Sequence, residues 1–133
     1  MNLLDDKVID QNSFSWRDIQ GQDKWDAFTP VFGALTVVGA TNYSGRMRRV
    51  GRSVEFQVRF SAATSIASVA GTDYLTLPVT ANALSFSGIA TMTNDTTNVA
   101  VGVCHIDTAT SRCYLPAQVA SGNTFTLCGS YEV

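Results

Sequence analysis

Residues 53–62 read Ser53-Val-Glu-Phe-Gln-Val-Arg-Phe-Ser-Ala62, and here Val54, Phe56, Val58 and Phe60 alternate with Glu55, Gln57 and Arg59. Successive side chains on a β-strand point to opposite faces, so the four apolar residues share one face and the three polar residues the other. A one-residue slip would bury all three polar side chains, which fixes the register firmly. Just upstream, Tyr43-Ser-Gly-Arg-Met-Arg-Arg-Val50 forms a second candidate strand, and residues 43–60 hold five of the nine basic side chains. Val50-Gly51-Arg52-Ser53 separates the two, and its glycine predicts a tight hairpin. On the arginine-rich strand Arg46 and Arg48 share one face, while Arg49 lies on the other with Met47.

Working outward, the same period of two recurs. Leu75 and Leu77 precede Pro78, which has no N–H for a ladder and ends a short strand. Leu84, Phe86, Ala90 and Met92 fall on one face of the next segment, and residues 93–98, TNDTTN, read as a polar turn. Val99, Val101 and Val103 then share a parity with His105, before a turn at Asp107–Thr110. The last strands span roughly 112–115 and 124–133, where Phe125, Leu127 and Tyr131 share a face. About seven or eight short strands with polar or glycine-containing turns predict an all-β fold, an antiparallel, jelly-roll-like β-sandwich. Residues 1–26 read as a short N-terminal arm or connector, leaving 27–133 as one sandwich domain.

Composition supports strands over helices. Of 133 residues 45% are hydrophobic and only 15% charged, against about 25% in an average domain. Lysine and glutamate occur twice each, so surface helices lack their usual material. The charge is also unevenly placed: residues 1–26 carry six of the eleven acids together with Trp16 and Trp25, whereas the segment up to Phe60 is basic. Arginine without lysine suits ion pairs at an interface, because the planar guanidinium pairs with carboxylates bidentately and tolerates partial desolvation. Asp18, Asp23 and Asp26 are the expected partners, and Trp16, Trp25, Arg46, Arg48 and Arg49 the expected subunit or arm contacts. A sequence pI near 5.1 argues against a nucleic-acid binder, which usually presents a basic face.

No constellation for catalysis stands out. His105 is the single histidine, and Cys104 beside it would point to the opposite face, which disfavours a Cys–His dyad. No metal-ligand spacing, G-x-S-x-G elbow or glycine-rich phosphate loop occurs, so neither metal nor cofactor is expected and the chain reads as a non-enzyme. Cys104, Cys113 and Cys128 form no C-x-x-C pair; free, mostly buried thiols are the expectation, with Cys104 and Cys113 able to meet across a hairpin. The first residues show neither a basic n-region nor an apolar core, so no secretory signal is expected.

Several short motifs now fall together. The run Met47-Arg-Arg-Val-Gly-Arg-Ser-Val54 leads into an alternating strand, Trp25 and Thr29-Pro30 lie upstream, and Leu77-Pro78 closes a strand downstream. Over roughly Trp25 to Ile89 this pattern resembles the C-terminal tip domains of tailed-bacteriophage tail fibres and tailspikes, except that Met47 stands where that family usually has tyrosine. The resemblance implies a homotrimer of β-sandwiches, made in the host cytoplasm and carried on the virion tail fibre. It further implies noncatalytic recognition of a bacterial surface polysaccharide or outer-membrane receptor, beside other virion tail proteins and without nucleic acid or membrane insertion. The alternative is a structural virion protein, such as a decoration, collar or trimer-clamping domain, that binds no receptor. A sugar site needs an aromatic platform and a few fixed polar groups. The candidates on predicted loops and strand ends are Tyr43, Asp73, Tyr74, Asn94, Asp95, Tyr114 and Asn123.

Overall fold

A computed structural model of the protein describes residues 24–84 and 88–133. Twelve strands are found there: β1 (Asp26–Phe28), β2 (Phe32–Gly33), β3 (Thr36–Val38), β4 (Thr41–Val50), β5 (Ser53–Ala62), β6 (Ser65–Ser68), β7 (Tyr74–Thr76), β8 (Gly88–Asn94), β9 (Val99–Asp107), β10 (Arg112–Tyr114), β11 (Gln118–Ser121) and β12 (Phe125–Glu132). The all-β antiparallel sandwich-like fold is therefore the architecture observed. The strand number exceeds the seven or eight expected, because several strands are two to four residues long, too short to show an alternation in sequence.

One curled sheet runs in the order β1-β4-β5-β12-β8-β9-β10-β7-β2, and β11-β6-β3 form a second, three-stranded sheet. The curl happens within β9. Its first part, Val99 to Cys104, pairs with β8, and its last three residues pair with β10, so one strand serves both walls. Across the sandwich Phe32 of β2 lies 4.9 Å from Phe60 of β5 and 5.1 Å from Tyr43 of β4, which brings the far edge of the sheet back over its middle.

The interior follows the alternation of β5. Val54, Phe56, Val58 and Phe60 are all buried, as are Phe125, Leu127 and Tyr131 on β12 beside them. Ala90 and Met92 of β8, Ile66 of β6 and Leu75 of β7 complete the core. The β4–β5 hairpin turns where expected, with Val50 opposite Ser53 and Gly51 at a φ of 60°, a value its lack of a Cβ makes cheap. Tyr131 pins a loop to this core. Its hydroxyl donates to the Val79 carbonyl at 2.7 Å and accepts from the Val79 N–H at 2.9 Å.

Two expectations about β8 and β9 need correction. Ala90 and Met92 do face inward, but Leu84 precedes the strand and is 88% exposed; Phe86 lies outside the described residues. In β9 the register shifts between Ala100 and Gly102, a bulge that changes which parity faces the core. Beyond the shift Val103 faces solvent while Cys104 and Ile106 are buried; Val99, ahead of it at the strand end, is also exposed. All three cysteines are free. Cys104 and Cys113 meet in the core, where the hydrogen bond that the Cys113 thiol makes to Cys104, together with burial, pushes its pKa far up.

Candidate functional site

The bulge in β9 has a chemical consequence, since His105 now lies on the outside with Val103. Strand pairing sets it opposite Tyr114 of β10, and Tyr114 opposite Tyr74 of β7. The result is a row of three rings across the curled sheet. His105 and Tyr114 lie nearly parallel, 21° apart with centroids at 6.3 Å, and Tyr114 meets Tyr74 edge-on at 5.7 Å. Such separations are within the range of productive ring pairs.

Arg112 completes the row. Its guanidinium lies 4.1 Å from the centroid of Tyr74, and one Nη1–H points to the Tyr114 hydroxyl at 3.5 Å. On its far side Tyr74 lies across Gly33, where any Cβ would come within 2.2 Å of the ring. Glycine at position 33 is thus what lets the tyrosine lie down on the sheet. Beside the row, Ala70, Gly71, Val103, His105, Tyr114 and Pro116 border a shallow groove of about 320 Å³. That is at the lower end of the volumes typical of small-ligand sites.

Of the seven sequence-predicted ligand contacts, Tyr74 and Tyr114 are brought together in this row. Asn94, Asp95 and Asn123 gather at another place, where the β8–β9 turn meets the segment before β12: the Asp95 N–H donates to the Thr124 carbonyl, and the Thr124 N–H to Thr96 Oγ1. Asn94 caps its own turn, accepting from the N–H groups of Thr96 and Thr97. Asp95 accepts from the Thr93 and Thr126 hydroxyls and lies 3.4 Å from Arg59. Two others face inward. Asp73 is buried, and its carboxylate accepts from the Val69 N–H at 2.8 Å, so it closes a bend and does not reach a surface ligand. Tyr43 lines the rim of the core against Phe32, where burial raises its hydroxyl pKa. His105 and Arg112 were not among the expected contacts, although a turn at 107–110 already implies that 105 and 114 lie near each other across a hairpin.

The arginines form a second surface, on the outer face of β4, β5 and β12. Trp25 lies between two guanidinium groups, 4.6 Å from Arg46 and 4.8 Å from Arg48. Arg48 pairs with Glu55 at 2.8 Å, and Arg46 Nε donates to Gln57 Oε1 at 2.9 Å. Among the described residues, both of these partners come from the facing hairpin strand. Asp26 lies opposite Met47, and Asp18, Asp23 and Trp16 fall outside the described residues. Arg49, on the other face as expected, donates to the Gly51 carbonyl.

No protein-family model, curated protein or solved structure matches the chain. Among the described residues no three His, Cys, Asp or Glu side chains cluster as metal ligands would, and no helix is long and apolar enough to cross a membrane. What the geometry offers chemically is two surfaces turned to solvent, one aromatic and one rich in guanidinium.

Proposed function

We propose that the chain is a noncatalytic attachment domain of a virion, a tail-fibre tip that recognises a glycan on the bacterial surface as a homotrimer. The observation that carries this reading is the ring row His105–Tyr114–Tyr74 with Arg112 at its end. The C–H face of a pyranose stacks on aromatic rings, and fixed donors beside the rings read its hydroxyls. Here the rings are preset by strand pairing and by Gly33, so little ordering entropy is lost on binding. The motifs from Trp25 to Leu77-Pro78 add the resemblance to phage tail tips.

The second reading, a structural virion domain without receptor binding, draws on a different place. Val50 and Ile89, both largely exposed, border a groove of about 540 Å³ with Arg52, Ser130 and Glu132. An apolar pair rimmed by polar groups suits contact with another protein.

Labelled domain is incubated with envelopes of candidate host bacteria and with an array of surface oligosaccharides. Attachment is expected, with a loss of at least tenfold in Tyr114→Ala at unchanged circular dichroism. If the domain decorates particles yet ignores every envelope and oligosaccharide, the structural reading replaces the attachment reading.

A further inference from the structure

The outer face of β4, β5 and β12 carries a groove of about 370 Å³ lined by Ser44, Arg46, Gln57, Arg59 and Thr126 over a floor of Gly45 and Val58. Strand register sets Arg46 opposite Gln57 and Arg59 opposite both Ser44 and Thr126, so the two arginines flank the groove diagonally. Each is oriented through Nε. Arg46 Nε donates to Gln57 Oε1, and Arg59 Nε donates to Thr126 Oγ1 at 3.4 Å. The terminal nitrogens of both make no further hydrogen bond among the described residues.

Among the described residues, charge on this face is not balanced. Arg46, Arg48 and Arg59 stand against Glu55 and Asp95, with Glu55 taken by Arg48 and Asp95 lying 3.4 Å from Arg59. Among those residues the surplus falls on Arg46, which contacts a carboxamide and the Trp25 ring, both neutral. The chain as a whole has a formal charge of −2, so this positive spot is a local exception. Two exposed guanidinium forks with the Ser44 hydroxyl beside both match an oxyanion, which accepts paired N–H bonds from arginine.

We propose that the groove between Arg46 and Arg59 is an oxyanion subsite that takes the charged group, carboxylate or phosphate, of an acidic surface glycan. The proposal rests on the attachment reading and deepens it by naming the ligand class. It also removes Arg46 from the expected subunit contact.

The test measures binding of the full chain, by calorimetry at low and high salt, to three oligosaccharides: an oligoglucuronate, its carboxyl-reduced counterpart, and one carrying glycerol phosphate. At least one charged ligand is expected to bind roughly tenfold or more tightly than the reduced one. Arg46→Gln and Arg59→Gln are each expected to remove about that factor, with the difference shrinking as salt rises. The stronger of the two charged ligands identifies the source of the oxyanion. Sedimentation of Arg46→Gln is expected to show an unchanged mass, and a lower mass would return this residue to an interface and overturn the subsite. Equal binding of charged and reduced ligands, or no loss in either variant, also overturns it. If that binding still requires Tyr114, the attachment reading survives. Binding to none of the three while envelopes are still bound overturns the subsite alone, and failure on envelopes as well overturns both.

Discussion

Removing a single oxygen atom from Tyr131 tests how the core holds the loop that follows β7. In Tyr131→Phe the ring remains, still edge-on to Phe56 at 5.8 Å, and only the two bonds to Val79 are lost. A typical intramolecular hydrogen bond contributes about 1 kcal/mol net, and stranding buried partners costs more. Val79 is half-buried, so water replaces part of what is lost, and the expected destabilisation is about 1–2 kcal/mol. For a domain of this size that lowers Tm by roughly 3–8 °C. The variant also carries a signature in alkali. Burial pushes the Tyr131 hydroxyl up to about 12, from an ordinary value of 10.0, although its bond to Val79 pulls the other way. The raised group favours the folded state fully below pH 10, and that contribution fades as pH climbs through 12 in the folded protein. Over this window the wild type is expected to lose roughly 2–3 kcal/mol that the phenylalanine variant does not lose. Urea unfolding at pH 8, 10, 11 and 12 measures both quantities. Parallel stability curves for the two proteins between pH 10 and 12, or no difference at pH 8, would refute this account of the clamp.

Other substitutions probe the remaining features. Gly33→Ala drives a methyl group into the Tyr74 ring and is expected to cost about 1–3 kcal/mol while weakening glycan attachment; an unchanged melting curve contradicts the close approach. Phe60→Ala empties the centre of the core between Phe32 and Phe125 and should cost about 3–5 kcal/mol, read by chemical denaturation. Arg49→Glu alters an exposed side chain that donates to the Gly51 carbonyl, so the subunit fold is expected to persist while the proposed trimer weakens in sedimentation. An unchanged mass at micromolar concentration would remove Arg49 from the interface.

The long strands were legible because their burial is one-sided. Alternation in β5 and in Phe125, Leu127 and Tyr131 of β12 maps directly onto buried positions, and the turn at Gly51 sets the β4–β5 register. That same turn already pairs Arg48 with Glu55 and Arg46 with Gln57 by counting back along the hairpin. What the sequence hid has two physical causes. Strands of two to four residues, such as β2 and β7, are defined by their neighbours and not by their own pattern. A bulge leaves no reliable mark in composition, so the parity of the β9 valines did not reveal that Val103 faces solvent while Cys104 and Ile106 are buried. The site suffered most from this, since the outward turn of His105 follows from the shift between Ala100 and Gly102. Tyr74 and Tyr114 were identifiable singly, but their meeting depends on three-strand register.

The position of β12 has a further consequence. It is the last strand in chain order, yet it sits between β5 and β8 and hydrogen-bonds to both along most of its length. Until a ribosome has delivered Phe125–Glu132, β5 and β8 have an open slot between them, with unpaired edges on either side. Closure of that slot joins segments separated by some seventy residues, a non-local step of the kind that slows folding. The growing sheet therefore waits for its centrepiece. A premature stop anywhere in the final strand leaves a template for aggregation instead of a slightly shortened domain.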